Sequence, residues 1–178
     1  MEMEVVEVLE AIKGRRSIRA FKSQDIAEET VNKLIEAACW APSAGNIQPW
    51  EFIIVRNSEI KQKLVEAALG QEFIAEAPVV IVVCANEERS ARGYGLRGKT
   101  LYCIQDTAAA IQNIHLTAYS LGLGTCWIGA FREEEARKAL KIPNGVRPVA
   151  IIPVGYPDEF PQPPRRRPMQ QAVHYETW

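Results

Sequence analysis

Histidine, closely spaced cysteine and long apolar runs are what this 178-residue chain has least of. Its four cysteines, Cys39, Cys84, Cys103 and Cys126, lie far apart with no Cys-x-x-Cys pair, and only two histidines, His115 and His174, could join them. A structural zinc site wants paired, closely spaced ligands, so no metal is expected and the cysteines read as buried thiols. No apolar stretch approaches the roughly 20 residues of a membrane span. An excess of positive charge is missing as well: 21 basic against 22 acidic residues leave a net charge of -1, with a pI near 6.2. That balance argues against a general nucleic-acid binder, whose affinity rests on surplus cations. The first ten residues hold four acids and no base, unlike a secretory leader, so a cytoplasmic location is expected. Repeats, low-complexity tracts and interior linkers are absent too. A hydrophobic content of 47% then fits one domain over residues 1–178, with an extended tail from about residue 156.

The pattern that is present alternates helix and strand. Val5, Val6, Leu9 and Ile12 recur at helical spacing before Gly14, and Val31, Leu34, Ile35, Ala38 and Cys39 form a second stripe with Asp25 as its expected N-cap. Phe52–Val55 reads as a strand, Glu59–Leu69 as a helix closed by Gly70, and Val79–Cys84 as a central strand apolar on both faces. Residues 86–99, rich in glycine and arginine, read as a mobile surface loop. A long helix is expected from about Lys99 to Leu121, apolar over more than one stripe, which suggests that it also packs on a partner chain. Cys126–Ile128, Glu133–Leu140 and Val149–Val154 follow as strand, helix and strand, with Pro153 implying a sheet edge or a strand end. The proline-rich tail ends in Tyr175 and Trp178, aromatics that favour docking, across a dimer for example.

Two stretches carry chemistry. Arg15, Arg16 and Arg19 surround Ser17 just after the first helix stop. Several guanidinium forks can offset the lost hydration of a phosphate, and if the segment is extended Arg15, Ser17 and Arg19 share one face while Ile18 packs away. A solvated basic turn is the competing reading of the cluster alone. Ala41–Trp50 sets Ser43, Asn46 and Gln48 between Pro42 and Pro49, either as a ligand-facing loop or as a long helix-to-strand connection.

Taken together, Arg-Arg-Ser-Ile-Arg, Pro-Ser-Ala-Gly-Asn-Ile-Gln-Pro-Trp, Gly-Leu-Gly-Thr-Cys-Trp-Ile-Gly-Ala-Phe at 122–131 and Pro-Arg-Arg-Arg-Pro resemble, in order and over nearly the whole chain, the nitroreductase family of FMN-dependent oxidoreductases. The resemblance implies an α+β fold, with a mixed, mainly antiparallel central sheet wrapped by helices. It also implies a homodimer holding two FMN molecules at its interface. By the same resemblance Arg15, Arg16, Ser17 and Arg19 hold the FMN phosphate and ribityl chain, and Arg165 and Arg167 close on that phosphate, though which of Arg165, Arg166 and Arg167 reach it is left open. Pro42, Ser43, Asn46 and Gln48 come from the other subunit to the isoalloxazine and ribityl group. Gly129 and Ala130 lie near the flavin N5 and O4 edge, and Gln71 near the pyrimidine edge.

The implied activity passes electrons from NADH or NADPH through flavin N5 to nitroaromatics, quinones or similar small-molecule acceptors in ping-pong fashion. Fixed donors beside the flavin favour its reduced, anionic form, so no amino-acid side chain is named as catalytic acid, base or nucleophile. A non-catalytic flavin carrier or sensor would need the same holding residues and stays as the alternative. Trp50 and Trp127 read as core, His115 as a satisfied core or interface histidine, and Cys103 and Cys126 as inert packing. Tyr94 and the arginines of 89–99 are candidates for contacting a nicotinamide phosphate. No nucleic acid and no membrane is expected among the partners.

Overall fold

A computed structural model describes residues 6–178. Val5, expected at the start of the first helix, lies outside the described residues, as does the acidic start up to that point.

Four strands form one sheet in the order β1-β2-β4-β3, with β1 Trp50–Val55, β2 Val79–Asn86, β3 Gly124–Thr125 and β4 Val146–Gly155. Every ladder is antiparallel. One isolated parallel bridge, Ser17 to Thr125, makes the arrangement mixed. On β2, Val79, Ile81 and Val83 face one apolar core and Val80, Val82 and Cys84 face another, all of them buried. A strand apolar on both faces must be covered on both, and the period-2 alternation divides its side chains between two layers. The first layer is α2 (Glu28–Cys39) and α6 (Cys103–Ser120); the second is α3 (Ser58–Ala67), α4 (Phe73–Glu76) and α7 (Glu133–Leu140).

Helix ends depart from expectation in instructive ways. Asp25 does not cap α2: its Oδ1 accepts from the Ile26 N–H at 2.8 Å and pairs with Arg56 at 2.7 Å, while the N-cap position falls to Ala27. The nearby guanidinium and a local amide outcompete the helix end. Pro153 sits inside β4, a strand paired on both sides, rather than at an edge. Its missing N–H causes no conflict, because Ile151 exchanges both backbone bonds with Ile128. The N–H position two residues on therefore faces the same side, where the chain between Thr125 and Ile128 makes no regular ladder.

Residues 86–99 are not a loop. Asn86 Oδ1 accepts from the Arg89 N–H at 2.9 Å and starts α5 (Glu87–Arg97). The helix is broken at Tyr94 and Gly95, whose φ of +54° only glycine adopts readily, and a wider turn over Gly98–Tyr102 joins it to α6.

At the start, α1 (Val8–Gly14) buries only Ala11 and leaves Val8 and Leu9 exposed, so its apolar stripe has no cover among the described residues. Two further expectations fail by exposure. Cys39, at the last turn of α2, is exposed, unlike the other three thiols. Trp127 is 40% exposed rather than core.

Candidate functional site

The segment after α1 is fixed to the other end of the chain. Ile18 N–H donates to Thr125 O at 2.9 Å, Lys22 N–H to Tyr156 O at 2.9 Å and Asp158 N–H to Ala20 O at 3.0 Å, while Arg19 N–H donates to Glu159. Ile18 is buried against Gly124, where a Cβ would lie 2.7 Å from its Cγ1, so the close approach of the two segments needs glycine. Ile18 is turned inward while Ser17 stays half-buried and Arg19 exposed, and the Arg19 charge favours the thiolate of the nearby Cys126. Burial still dominates and pushes that thiol's pKa up, which leaves Cys126 a packing residue.

Arg15 is half-buried, and its pKa is lowered by that burial and then by the like charges of Arg166 and Arg16. Among the described residues none of Arg15, Arg16, Arg19, Arg165, Arg166 and Arg167 is in an ion pair. Arg15, Arg16 and Arg166 lie close enough for their charges to act on one another without a paired carboxylate, an arrangement that suits phosphate. Arg16 plays a different part from Arg15: its Nη1 donates to the carbonyls of Lys13, Gly14 and Arg15 at 2.6, 3.0 and 2.8 Å, closing the C-terminus of α1. Its buried Nε has no partner. All three tail arginines are exposed, and it is Arg166 whose charge reaches Arg15.

From Ser17 the chain Thr125–Ala130 leads to a second cluster. Gln71 Nε2 donates to Ala68 O at 2.9 Å and to Ala130 O at 3.3 Å, so two residues 59 positions apart, both singled out from sequence, are in contact. Gly129 is exposed, and a Cβ there would meet nothing nearer than Trp127 Nε1 at 4.0 Å. This open backbone suits a flat ring. Four residues separate Thr125 from Ala130, five steps and at most about 18 Å of chain, with cations at one end and an amide and bare peptide at the other. A long molecule with a phosphate tail and a planar head fits that layout.

Beneath this segment lies His115, 1% exposed, its Nδ1 2.7 Å from Thr125 Oγ1 and its ring stacked on Trp127 at 5.9 Å between centroids. Burial first, and the Arg15 charge second, lower its pKa to about 4, so it is neutral at pH 7. His115 and Trp127 thus hold the segment from α6. An open cavity of about 760 Å³ lies alongside, between Arg15, Arg16, His115, Tyr119 and Phe160.

The loop of Pro42, Ser43, Asn46 and Gln48 stands elsewhere, at the other end of α6. Gly45, Asn46 and Gln48 have φ of +55°, +55° and +53°. For the two non-glycine residues each such conformation costs about 1–3 kcal/mol and persists only where the surroundings impose it. They do so here. Ser43 Oγ accepts the Gln48 N–H at 3.0 Å, Arg89 Nη1 donates to Gln48 O at 3.1 Å, and Gln48 Nε2 donates to Asn46 Oδ1 at 2.9 Å. The Tyr94 hydroxyl closes on Gly45, where a Cβ would be 2.6 Å from it. Tyr94 and Arg89 are thus loop clamps, and the loop is presented rigidly. Sequence reading missed Arg89 in this role because residues 86–99 looked irregular. It also missed the part of His115 in holding Thr125, for which no sequence signal exists.

The chain is similar to proteins with flavin and nicotinamide chemistry in their names. A profile of the Nitroreductase family matches residues 12–71 and 66–156. The chain belongs to the Nitroreductase family. An FMN reductase [NAD(P)H] of Bacillus subtilis is 32% identical over 186 residues, 97% of this chain and 74% of its own. A protein of Methanothermobacter thermautotrophicus, provisionally named NADH dehydrogenase/NAD(P)H nitroreductase, is 39% identical over 177 residues, 97% of this chain and 88% of its own. Among solved structures, the NADPH:FMN oxidoreductase of Vibrio harveyi complexed with NAD+ superposes with a TM-score of 0.88 and 28% identity, over 96% of this chain and 77% of that one. The nitroreductase fold and an NAD(P)H-dependent oxidoreductase follow from this membership.

Proposed function

We propose that this nitroreductase-family protein acts as a single-domain, cytoplasmic, FMN-dependent homodimer that takes electrons from NADH or NADPH and delivers them to nitroaromatics, quinones or similar acceptors by a ping-pong route. The observation that carries the reading is the pairing of 19–22 with 156–159, next to that of Ser17 and Ile18 with Thr125. Arg15, which feels the charge of Arg166, and the exposed Arg19 then lie towards one end of a segment whose other end is Ala130 against Gln71, which supports the reading.

When bound, FMN supplies two-electron redox chemistry at its N5. The chain's own residues do the rest. Arg15, Ser17 and Arg19, with Arg166 and its neighbours Arg165 and Arg167, take the phosphate. Arg16 closes α1 and keeps the cluster together. The backbone of Gly129 and Ala130, fixed by Gln71, would hold the ring edge. No side chain here is a poised acid or base: His115 is buried and neutral, and burial pushes the Cys84 thiol up to about 12.

A second copy is needed to complete such a site. Asp106, which touches the 43–48 loop, and Tyr119, which borders the Arg15 cavity, are 13 residues apart on α6, about 20 Å along its axis. The loop of Pro42, Ser43, Asn46 and Gln48 therefore serves the partner's flavin. A partner would also cover Val8 and Leu9 of α1 and the exposed Phe160 and Trp178 of the tail. No described helix is long and apolar enough to cross a membrane.

The test is spectroscopic. Protein loaded with FMN is mixed with NADH or NADPH without oxygen, and bleaching followed by reoxidation on adding a quinone or nitroarene is expected. Bound flavin that neither nucleotide bleaches contradicts the enzyme reading and favours a carrier.

A further inference from the structure

Asp106 lies in the first turn of α6, 7% exposed, and accepts the Ala44 N–H on Oδ1 at 3.1 Å across 62 residues of sequence. Its other oxygen, Oδ2, is buried and has no partner, and among the described residues no basic side chain pairs with this carboxylate. Burial pushes its pKa up, opposed by the Ala44 amide. An isolated buried carboxyl group is costly, and an apolar side chain would fill the same place more favourably. What it accomplishes is local. Ala44 opens the turn in which Gly45, Asn46 and then Gln48 adopt left-handed backbone, and Ser43 and Asn46 leave the chain on either side of that amide. The other clamps tie Ser43 to Gln48 within the loop and hold Gln48 and Gly45 from α5. Asp106 alone among these contacts grips the loop from α6.

We propose that Asp106 is a positioning residue for the flavin-facing loop, fixing the Ala44 peptide so that Ser43 and Asn46 are presented to the cofactor in one geometry. This rests on reading the loop as flavin-facing. Among the described residues the Ala44 amide has no other partner, so the Asp106 oxygen alone fixes that peptide. The group acts through Ala44 and does not itself touch the flavin.

The test compares wild type with Asp106→Ala and Asp106→Asn, first without flavin. Hydrogen exchange over residues 42–49 is expected to quicken in D106A while the central strands stay protected, and FMN affinity to fall by about tenfold or more. D106N keeps an oxygen where Oδ1 lies and is expected to recover most of both. If D106A fails to fold, Asp106→Glu, which displaces the carboxylate by one methylene, takes its place with loosening expected over the same residues. Unchanged exchange over 42–49, or quickened exchange with unchanged FMN affinity, overturns the proposal while leaving the flavin reading intact. Wild-type protein that binds no FMN overturns both.

Discussion

Arg15 and Arg19 carry the phosphate assignment residue by residue. Replacing either with alanine removes a charge-assisted contact worth about 1.5–3 kcal/mol, roughly one to two decades of FMN affinity. Titration of flavin fluorescence measures it, and unchanged affinity in both variants contradicts the assignment. Arg16→Ala differs, because its guanidinium closes α1 through three carbonyls; stability should fall together with affinity. His115 gives a prediction in pH. It takes up a proton below about pH 6.5 in the unfolded chain and only below about 4 in the folded protein. Between those values the unfolded state binds more protons, so stability falls as pH drops from about 6.5 towards 4, by about 3 kcal/mol in all. Urea unfolding of wild type and His115→Leu across that window should show a shallower slope in the variant. At this scale Ser17, Arg19 and Ile18 were legible in sequence, because two-residue alternation alone divides them between faces. Arg166 and Asp106 were not: one lies in an undifferentiated run of three arginines, and the other makes its contact 62 positions away.

At the scale of elements, helix ends decide more than propensity does. Lys141 sits beyond α7 with φ of +54°, and the next N–H, Ile142, donates back to Arg137 O at 3.0 Å. That is a glycine position occupied by lysine. Lys141→Gly is expected to raise stability by up to about 1 kcal/mol, read as a higher urea midpoint at unchanged slope; a lower midpoint contradicts the strain. The loop of residues 42–48 and α5 form one clamped unit. Gly45→Ala puts a methyl 2.6 Å from the Tyr94 hydroxyl at a left-handed φ. It should loosen the loop and weaken FMN binding, with the sheet unaffected; intact affinity would show that the clamp has no bearing on the cofactor. Glycine content misled at α5. Gly93, Gly95 and Gly98 suggested an irregular segment, yet Gly93 and Gly98 serve close packing against Ile47 and Ser90, and only Gly95 breaks the helix. The Asn86 cap was the overlooked signal. The core strands were legible because an apolar run on both faces admits few places in a fold.

For the whole molecule, the sheet brings residues 17–22 and 156–159 together and holds the loop of residues 42–48 away from them. Sequence order cannot convey that separation, since it depends on which end of α6 each segment meets. A site shared between copies also accounts for the uncovered stripe of α1 and the exposed aromatics of the tail. Mixed dimers test the sharing directly. One protomer carries Arg15→Ala with Arg19→Ala, the other Ser43→Ala with Asn46→Ala, and FMN binding to the purified heterodimer is compared with that to each homodimer. A shared site places all four changes in one pocket and leaves the other native, so the heterodimer should bind one FMN per dimer with wild-type affinity while both homodimers bind weakly. A heterodimer with no wild-type site would contradict it and place arginines and loop of one chain around the same cofactor.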